Sequence, residues 1–179
     1  MTVVIDTSSL LSLVRYYLPF DRNNALYDFI KSKVESQDIL IIDKVYEECI
    51  YTAKGIIIMT LPYLQNKKNH IKTTELLPTS KFFHQVENQF INGSIKNTLT
   101  PVEFENRKNS FLSSADVKIL LYTLQNKGDD IIIVSEETES SNDNKSFKKL
   151  PALCKILSLS IITLPEMIKR YDGINLEFK

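Results

Sequence analysis

The sequence predicts a three-layer α/β/α fold, in which a central parallel sheet of four or five strands is covered by helices on both faces. Short runs of Val and Ile lack the alternation of a half-exposed strand, as expected for strands that are buried on both faces. Segments with helical periodicity separate these runs, which favours right-handed crossover connections. The 179 residues, 43% of them hydrophobic, suit a single domain (residues 1–179) with a full core.

Four runs are predicted to be strands, and each is followed by a helical pattern. The strands are predicted over residues 3–5, 39–42, 131–134 and 161–163. Helices are predicted over 8–17, 24–34 and 44–51, after Ser113-Ser114, and from Thr163-Leu164-Pro165 onward. Asp43 is placed to cap the helix over 44–51, and Gly128 follows the end of the helix after Ser114.

The middle of the chain, from about residue 53 to 112, is less regular and is predicted to be a helical insertion into the sheet. Helices are predicted over 81–90 and 102–111, whereas 66–70 and 91–94 have the composition of loops. The polar segment 136–146 lacks apolar periodicity and is predicted to be a flexible loop.

Charge and cysteine content narrow the class of protein. The 22 basic and 22 acidic residues give a formal net charge of zero, so any surface that binds nucleic acid must be local. Cys49 and Cys154 form neither a CxxC pair nor a disulfide framework, and the chain begins without a signal-peptide pattern, which predicts a cytoplasmic protein. The apolar runs fall short of the ~20 residues that span a bilayer, so no membrane segment is expected.

Acidic residues are predicted to gather at one edge of the sheet. Ligands of parallel α/β sheets bind at the carboxyl ends of the strands. The acidic residues near that edge are Asp6 after the first strand, Glu136 and Glu137 after the third, Asp116 in the first turn of its helix, and Glu47 and Glu48 in the helix after the second strand. Because clustered carboxylates repel one another, such a cluster is typical of a site for a hard cation, Mg²⁺ or Mn²⁺.

Each of these acids also has a structural interpretation. Asp6 is equally well placed to cap the helix that follows it. Asp116, three residues after Ser113, can form half of a capping box. The four glutamates are by default solvated surface residues.

Other kinds of site are less well supported. His70 and His84 are too far apart for a one-turn metal pair and are predicted to be surface residues. The Gly-rich phosphate loops GxxxxGK[ST] and GxGxxG are absent. A basic surface or a merely solvated face is predicted for Lys67, Lys68, Lys72, Lys81, Arg107 and Lys108.

Four segments together resemble the PIN domain, a superfamily of metal-dependent nucleases that includes the toxins of bacterial toxin–antitoxin pairs. They are VVIDTSSLL, VYEEC, SSADVKILLYTL and IIIVSEE, and the stretch DTSSLLSLVRYYLPFD is similar to a bacterial and archaeal branch of the superfamily. The resemblance covers roughly residues 2–53 and 113–168. It implies a PIN-like parallel sheet with an acidic pocket at its carboxyl edge and cleavage of RNA by metal-activated water.

The resemblance also implies a set of site residues. The family's four acids fall on Asp6, Glu48, Asp116 and Glu137, with Ser8 as a supporting hydroxyl. Glu47 is an alternative to Glu48, and Glu136 is an alternative to Glu137. The fourth acid is usually an Asp, so the longer Glu at this position is expected to weaken or rearrange a second metal site.

The function implied by the resemblance is that of a Mg²⁺- or Mn²⁺-dependent endoribonuclease. Its substrate is RNA, and an antitoxin protein and a second copy of the chain are candidate partners. An alternative of another class is an RNA- or protein-binding module whose altered site no longer cleaves. A haloacid-dehalogenase-like phosphatase would use Asp6 as its nucleophile, but it needs a second Asp at the position of Ser8.

Overall fold

A five-stranded parallel sheet forms the centre of the protein in a computed structural model that describes residues 1–139 and 145–171. The strands are β1 (Val3–Ile5), β2 (Ile39–Ile42), β3 (His70–Ile71), β4 (Ile132–Val134) and β5 (Ile161–Ile162). They are arranged in the order β3-β2-β1-β4-β5, and Val3 in the central strand is paired with Ile39 and with Ile132. Helices flank this sheet, so the fold has the predicted α/β/α architecture.

Ten α-helices lie within the described ranges. They are α1 (Thr7–Ser12), α2 (Ala25–Glu35), α3 (Asp43–Tyr51), α4 (Ile56–Thr60), α5 (Ser80–Gln85), α6 (Gly93–Lys96), α7 (Pro101–Leu112), α8 (Ala115–Gln125), α9 (Leu150–Leu157) and α10 (Leu164–Arg170). A π-helical turn, Leu13–Tyr17, continues α1, and another, Val86–Phe90, continues α5.

Burial of the strands on both faces explains why their sequences do not alternate. Every residue of β1 and β2 is buried, so each side chain meets a helix layer rather than water. Burying one Val or Ile side chain contributes about 1.5–3 kcal/mol. Cys49 and Cys154 are also buried in this core and are free thiols, in agreement with the expected absence of a disulfide.

The four predicted strands are confirmed with small changes at their ends. The third begins at Ile132, one residue later than predicted, and the fourth ends at Ile162. Thr163 leaves the strand because it caps α10. Its hydroxyl pairs with the backbone N–H of Glu166, while the carboxylate of Glu166 accepts from the N–H of Thr163.

The prediction for the middle region was partly wrong. The helices over 81–90 and 102–111 are confirmed, but the insertion also supplies β3, which pairs with β2 at the edge of the sheet. The segment 66–70, predicted to be a loop, ends in the first residue of this strand, and α6 begins within the other predicted loop, 91–94. A strand of two residues is too short to show periodicity.

The edge strand is held by contacts that are distant in sequence. The carboxylate of Asp43 accepts from the backbone N–H of Thr73 at 3.0 Å and from its hydroxyl at 2.5 Å, as well as from the N–H of Lys44. Asp43 therefore fixes the chain that follows β3, in addition to its contact at the start of α3.

The segment after β4 is only partly described, because residues 140–144 lie outside the described ranges. The rest of the predicted flexible loop, 136–146, has defined contacts. Asn92 donates its backbone N–H to the carbonyl of Ser146 at 2.9 Å, and Phe147 forms an antiparallel bridge with Ile91. The chain after β4 is thereby attached to the insertion.

No helix within the described residues is long and apolar enough to cross a membrane.

Candidate functional site

Asp6 lies at the carboxyl end of the central strand and is only 4% exposed. Its Oδ1 accepts from the backbone N–H of Thr7 at 2.6 Å, which caps α1. Its Oδ2 accepts from the hydroxyls of Ser8 at 2.6 Å and Ser135 at 3.0 Å. Asp6 therefore makes the capping contact, and its second oxygen is oriented by two hydroxyl groups.

The two serines connect the ends of β1 and β4. The hydroxyl oxygen of Ser8 accepts from the backbone N–H of Glu136 at 3.1 Å, and that of Ser135 accepts from the N–H of Glu137 at 3.2 Å. Each hydroxyl thus accepts from the backbone while it donates to Asp6. The contact between Ser135 and Asp6 was not predicted. It could have been predicted from the position of Ser135 directly after a strand, at the same sheet edge as Asp6.

Glu48, rather than Glu47, joins this cluster. The hydroxyl of Thr7 donates to Oε2 of Glu48 at 2.7 Å. Partial burial, together with the negative charges of Asp6 and Glu137, raises the pKa of Glu48, although the Thr7 hydroxyl and the N–H of Ala115 oppose this shift. Glu47 instead forms an exposed ion pair with Lys44, with 2.5 Å between Nζ and Oε2.

Asp116 lies in the first turn of α8, but it does not cap the helix. The cap is Ser114, whose hydroxyl pairs with the N–H of Val117, while the hydroxyl of Ser113 donates to the carbonyl of Asn109. The capping box expected between Ser113 and Asp116 is therefore wrong. Burial, followed by the negative charges of the other three acids of the predicted set, raises the pKa of Asp116 to about 8, with Lys145 opposing the shift.

Glu136 and Glu137 are partly buried rather than solvated. Glu137 Oε2 accepts from the N–H of Leu150 at 3.2 Å, at the start of α9, and Glu136 Oε1 accepts from that of Leu164 at 2.6 Å, at the start of α10. A carboxylate is favourable at the positive end of a helix. The charge of Glu137 raises the pKa of both Asp116 and Glu48, so Glu137 belongs to the cluster more clearly than Glu136 does.

The donor chemistry of the cluster fits a hard cation, because carboxylate oxygens are the ligands that Mg²⁺ and Mn²⁺ prefer. A cation would also relieve the repulsion that raises the pKa values of Glu48 and Asp116. Among the described residues, however, no three His, Cys, Asp or Glu side chains are close enough together to form a ready-made metal site.

Asp116→Asn is expected to make the stability of the metal-free protein less dependent on pH. The folded-state pKa of Asp116, about 8, lies above the ordinary value of 3.8. The contribution of Asp116 is therefore fully present below about pH 4 and is lost as the pH rises through about 8. Removing the carboxylate should raise the free energy of unfolding at pH 9 by several kcal/mol, because each pH unit between the two pKa values corresponds to about 1.4 kcal/mol, and each kcal/mol should raise the melting temperature by about 2–4 °C.

Thermal unfolding in EDTA between pH 6 and pH 9 measures this difference. Glu47→Gln removes one exposed carboxylate from outside the cluster and should retain the pH dependence of the parent protein. If the stability of Asp116→Asn and that of the parent protein changed equally with pH, the pKa of Asp116 would not be raised in the folded protein.

A cavity of about 350 Å³ borders the acidic cluster. It is lined by Arg107, Ser110, Phe111, Ser114, Asp116, Glu137, Lys145, Ser146, Phe147, Lys148 and Lys149. Two acids of the cluster thus share a cavity with four basic residues. A larger cavity of about 760 Å³ lies between α5 and the C-terminal ends of α8 and α9, and none of the four acids lines it.

The predicted basic surface does not form as one unit. Arg107 lines the smaller cavity, Lys81 lines the larger one, and Lys108 pairs with Glu87 and Glu105 at 2.8 and 2.7 Å.

The two histidines have different surroundings. His84 is exposed, as predicted. His70 is only partly exposed: its ring packs on Tyr46, with 4.2 Å between centroids, and its Nε2 contacts the carbonyl of Leu64 at 2.5 Å. His70 therefore has a structural role in the segment that leads into β3.

Comparison with known proteins adds one finding. No curated protein matches the chain. The model of a protein family described as "Domain of unknown function (DUF4411)" matches residues 3–173. Because this match spans nearly the whole sequence, the chain belongs to the DUF4411 family.

Proposed function

We propose that this protein is a PIN-like endoribonuclease that uses Mg²⁺ or Mn²⁺ to hydrolyse phosphodiester bonds of RNA. The observation that carries the proposal is the gathering of Asp6, Glu48, Asp116 and Glu137 from four separate parts of the chain at one sheet edge, where their charges raise the pKa of Glu48 and Asp116. Like charges held together reduce stability, so acids whose pKa is raised in this way are typical of functional sites. The type of reaction, metal-dependent cleavage of RNA, is inferred from the resemblance to PIN domains.

The residues have distinct roles in the proposed reaction. Asp6, Glu48 and Asp116 would hold a cation, and Glu137 would help to hold a second cation or would orient water. A bound cation supplies water of lowered pKa and neutralises charge on the leaving oxygen. The hydroxyls of Ser8 and Ser135 orient Asp6, and that of Thr7 orients Glu48, so these three residues act as positioning residues.

The toxin role is the more specific part of this proposal. In a toxin–antitoxin pair, the partner would have to neutralise the same carboxylates. The guanidinium of an inserted Arg suits this task because it pairs with a carboxylate bidentately.

One observation favours a second candidate, a module that binds RNA or protein without cleaving RNA. Glu137 accepts from the N–H of Leu150, which gives one oxygen of this carboxylate a partner other than a cation. In that case the fourth acid serves to anchor α9 instead of taking part in a reaction.

A cleavage assay with paired glutamate variants tests the proposal. The parent protein should cut a mixed-sequence RNA in the presence of Mg²⁺ or Mn²⁺. Glu48→Gln should lower kcat/KM at least about a hundredfold, because a lost metal ligand removes several kcal/mol of charge stabilisation. Glu47→Gln, one residue away and paired with Lys44, should remain within about twofold of the parent protein.

Two results would contradict the proposal. Equal rates for Glu48→Gln and the parent protein would remove Glu48 from the site. RNA binding by the parent protein without cleavage in either cation would favour the binding module.

A further inference from the structure

The cavity beside the acidic cluster has a basic side that the proposed reaction does not use. Its lining includes Arg107, Lys145, Lys148 and Lys149, together with the acids Asp116 and Glu137. The chain as a whole has a formal net charge of zero, so this is a local excess of positive charge. We call these four basic residues the basic wall.

Two parts of the chain build the basic wall, and they are attached to each other. Arg107 belongs to α7 in the insertion and donates from Nη1 to the hydroxyl of Ser146 at 2.6 Å. The rings of Phe111 and Phe147 are stacked, with 4.2 Å between centroids and 7° between planes. These contacts hold the wall in place before any ligand binds, which favours binding.

The four cations are not equally available. Lys148 donates its ammonium to the carbonyls of Gln89 and Ile91. Arg107 and Lys145 are both exposed. A guanidinium has five N–H donors, and the contact with Ser146 uses one of those of Arg107.

One acid near the basic wall makes its hydrogen bonds elsewhere. Glu103 lies near Arg107 but accepts from the backbone N–H and the hydroxyl of Thr100 at 2.9 and 2.7 Å. Lys145 is close enough to Asp116 to influence it, so an anion held by Lys145 would lie beside the acidic cluster.

We propose that Arg107 and Lys145 bind the phosphate backbone of RNA beside the acidic cluster. The insertion, which the PIN resemblance leaves unmatched, thereby supplies part of the substrate-binding side of the site. Lys and Arg contacts to phosphate dominate the affinity of proteins for nucleic acids. The expected ligand is single-stranded, because an unpaired strand can place part of its length in the cavity of about 350 Å³ beside these cations. The inference rests on the proposed function for the identity of the polyanion.

Binding measured without divalent cations separates this inference from the proposed reaction. The probe is a fluorescein-labelled, mixed-sequence RNA of 20 nucleotides, and its anisotropy is recorded in EDTA over a range of NaCl concentrations. The double variant Arg107→Ala/Lys145→Ala should bind at least about tenfold more weakly. The slope of log K against log salt should become shallower by about 1.4, because each phosphate contact to a single strand contributes about 0.7.

Three controls test whether RNA binding depends on the position of these two cations rather than on total charge or on folding. Lys81→Ala removes an exposed cation from the larger cavity and should leave the Kd within about twofold. Arg107→Lys should bind RNA more tightly than the double variant and more weakly than the parent protein, since a lysine keeps the positive charge but lacks the planar set of N–H donors of a guanidinium. The double variant should melt within about 2 °C of the parent protein, because both side chains are exposed.

The outcomes distinguish the two proposals. An unchanged salt slope in the double variant would overturn the inference, even if the parent protein cleaves RNA. Weaker binding by the double variant would support the inference, even if the parent protein cleaves nothing. Equal competition by polyglutamate, at matched charge, would show a general anion site and would overturn the assignment to RNA phosphate.

Discussion

Asp6→Asn is expected to abolish RNA cleavage, with a loss of at least about a thousandfold, while the protein remains folded. Asp6 is the most buried of the four acids and ends the central strand, so its carboxylate is the most rigidly placed of the proposed ligands. Replacing it with a neutral amide removes a charged ligand, and a thousandfold change in rate corresponds to about 4 kcal/mol. The measurement is kcat/KM on RNA with Mn²⁺.

The stability of the same variant separates the catalytic role from the capping role. Asn caps helices about as well as Asp, so the bond from the N–H of Thr7 can be kept. The new amide can donate to Ser8 and Ser135, while the loss of one negative charge relieves the repulsion on Asp116. The melting temperature should therefore fall by no more than about 3 °C, and a rise is equally consistent.

Asp43→Asn provides the matched control for Asp6→Asn. Asp43 also directly follows a strand, but both of its carboxylate oxygens are occupied by contacts with Thr73 and Lys44. Asp43→Asn should have a lower melting temperature than the parent protein and should still cleave RNA. If Asp6→Asn lost stability in the same way and still cleaved RNA, Asp6 would be a helix cap and not a ligand.

The features that could be predicted from the sequence are those that depend on neighbouring residues. The buried strands were visible as unbroken Val and Ile runs because a strand covered on both faces needs apolar residues at every position. Asp6 was recognisable because a carboxylate interrupts such a run where the strand ends. Asp116 was recognisable from the serines that precede it, although the cap is Ser114 and not Ser113.

The features that could not be predicted depend on distant contacts. β3 contains two residues and is held through Thr73 by Asp43, 30 positions away. The helix contacts of Glu136 and Glu137 involve α9 and α10, whose starting points relative to the loop cannot be derived from local composition. The basic wall joins Arg107 to a segment almost 40 residues further along the chain.

The choice between Glu47 and Glu48 shows how a single residue step matters on a helix. Successive residues are about 100° apart. Val45 is buried, so Glu48, three residues later, lies about 60° from the core-facing direction, whereas Glu47 lies about 160° from it. The resemblance to PIN domains favoured Glu48, with Glu47 as an alternative, and the contact between Thr7 and Glu48 agrees with that choice.

Mn²⁺ is expected to raise the melting temperature of the parent protein by about 5–10 °C at a concentration one hundred times its Kd. A ligand that binds only the folded state at this excess adds about 2.7 kcal/mol, and each kcal/mol shifts the melting temperature by about 2–4 °C for a chain of this size. At one fixed Mn²⁺ concentration, the shift should be larger at pH 8.5 than at pH 6, because the Kd is lower at the higher pH. Asp116, with a pKa of about 8, must lose its proton before it can bind the cation.

Two variants make the Mn²⁺ result specific to the acidic cluster. Asp116→Asn should lose most of the shift and its dependence on pH, because the ligand that titrates is gone. Glu47→Gln should keep both, since its carboxylate pairs with Lys44 outside the cluster. A binding module without a metal site would show no shift at either pH. An equal shift in the parent protein and in Asp116→Asn would place the cation elsewhere on the protein, and the acidic cluster would then lose its proposed role in catalysis.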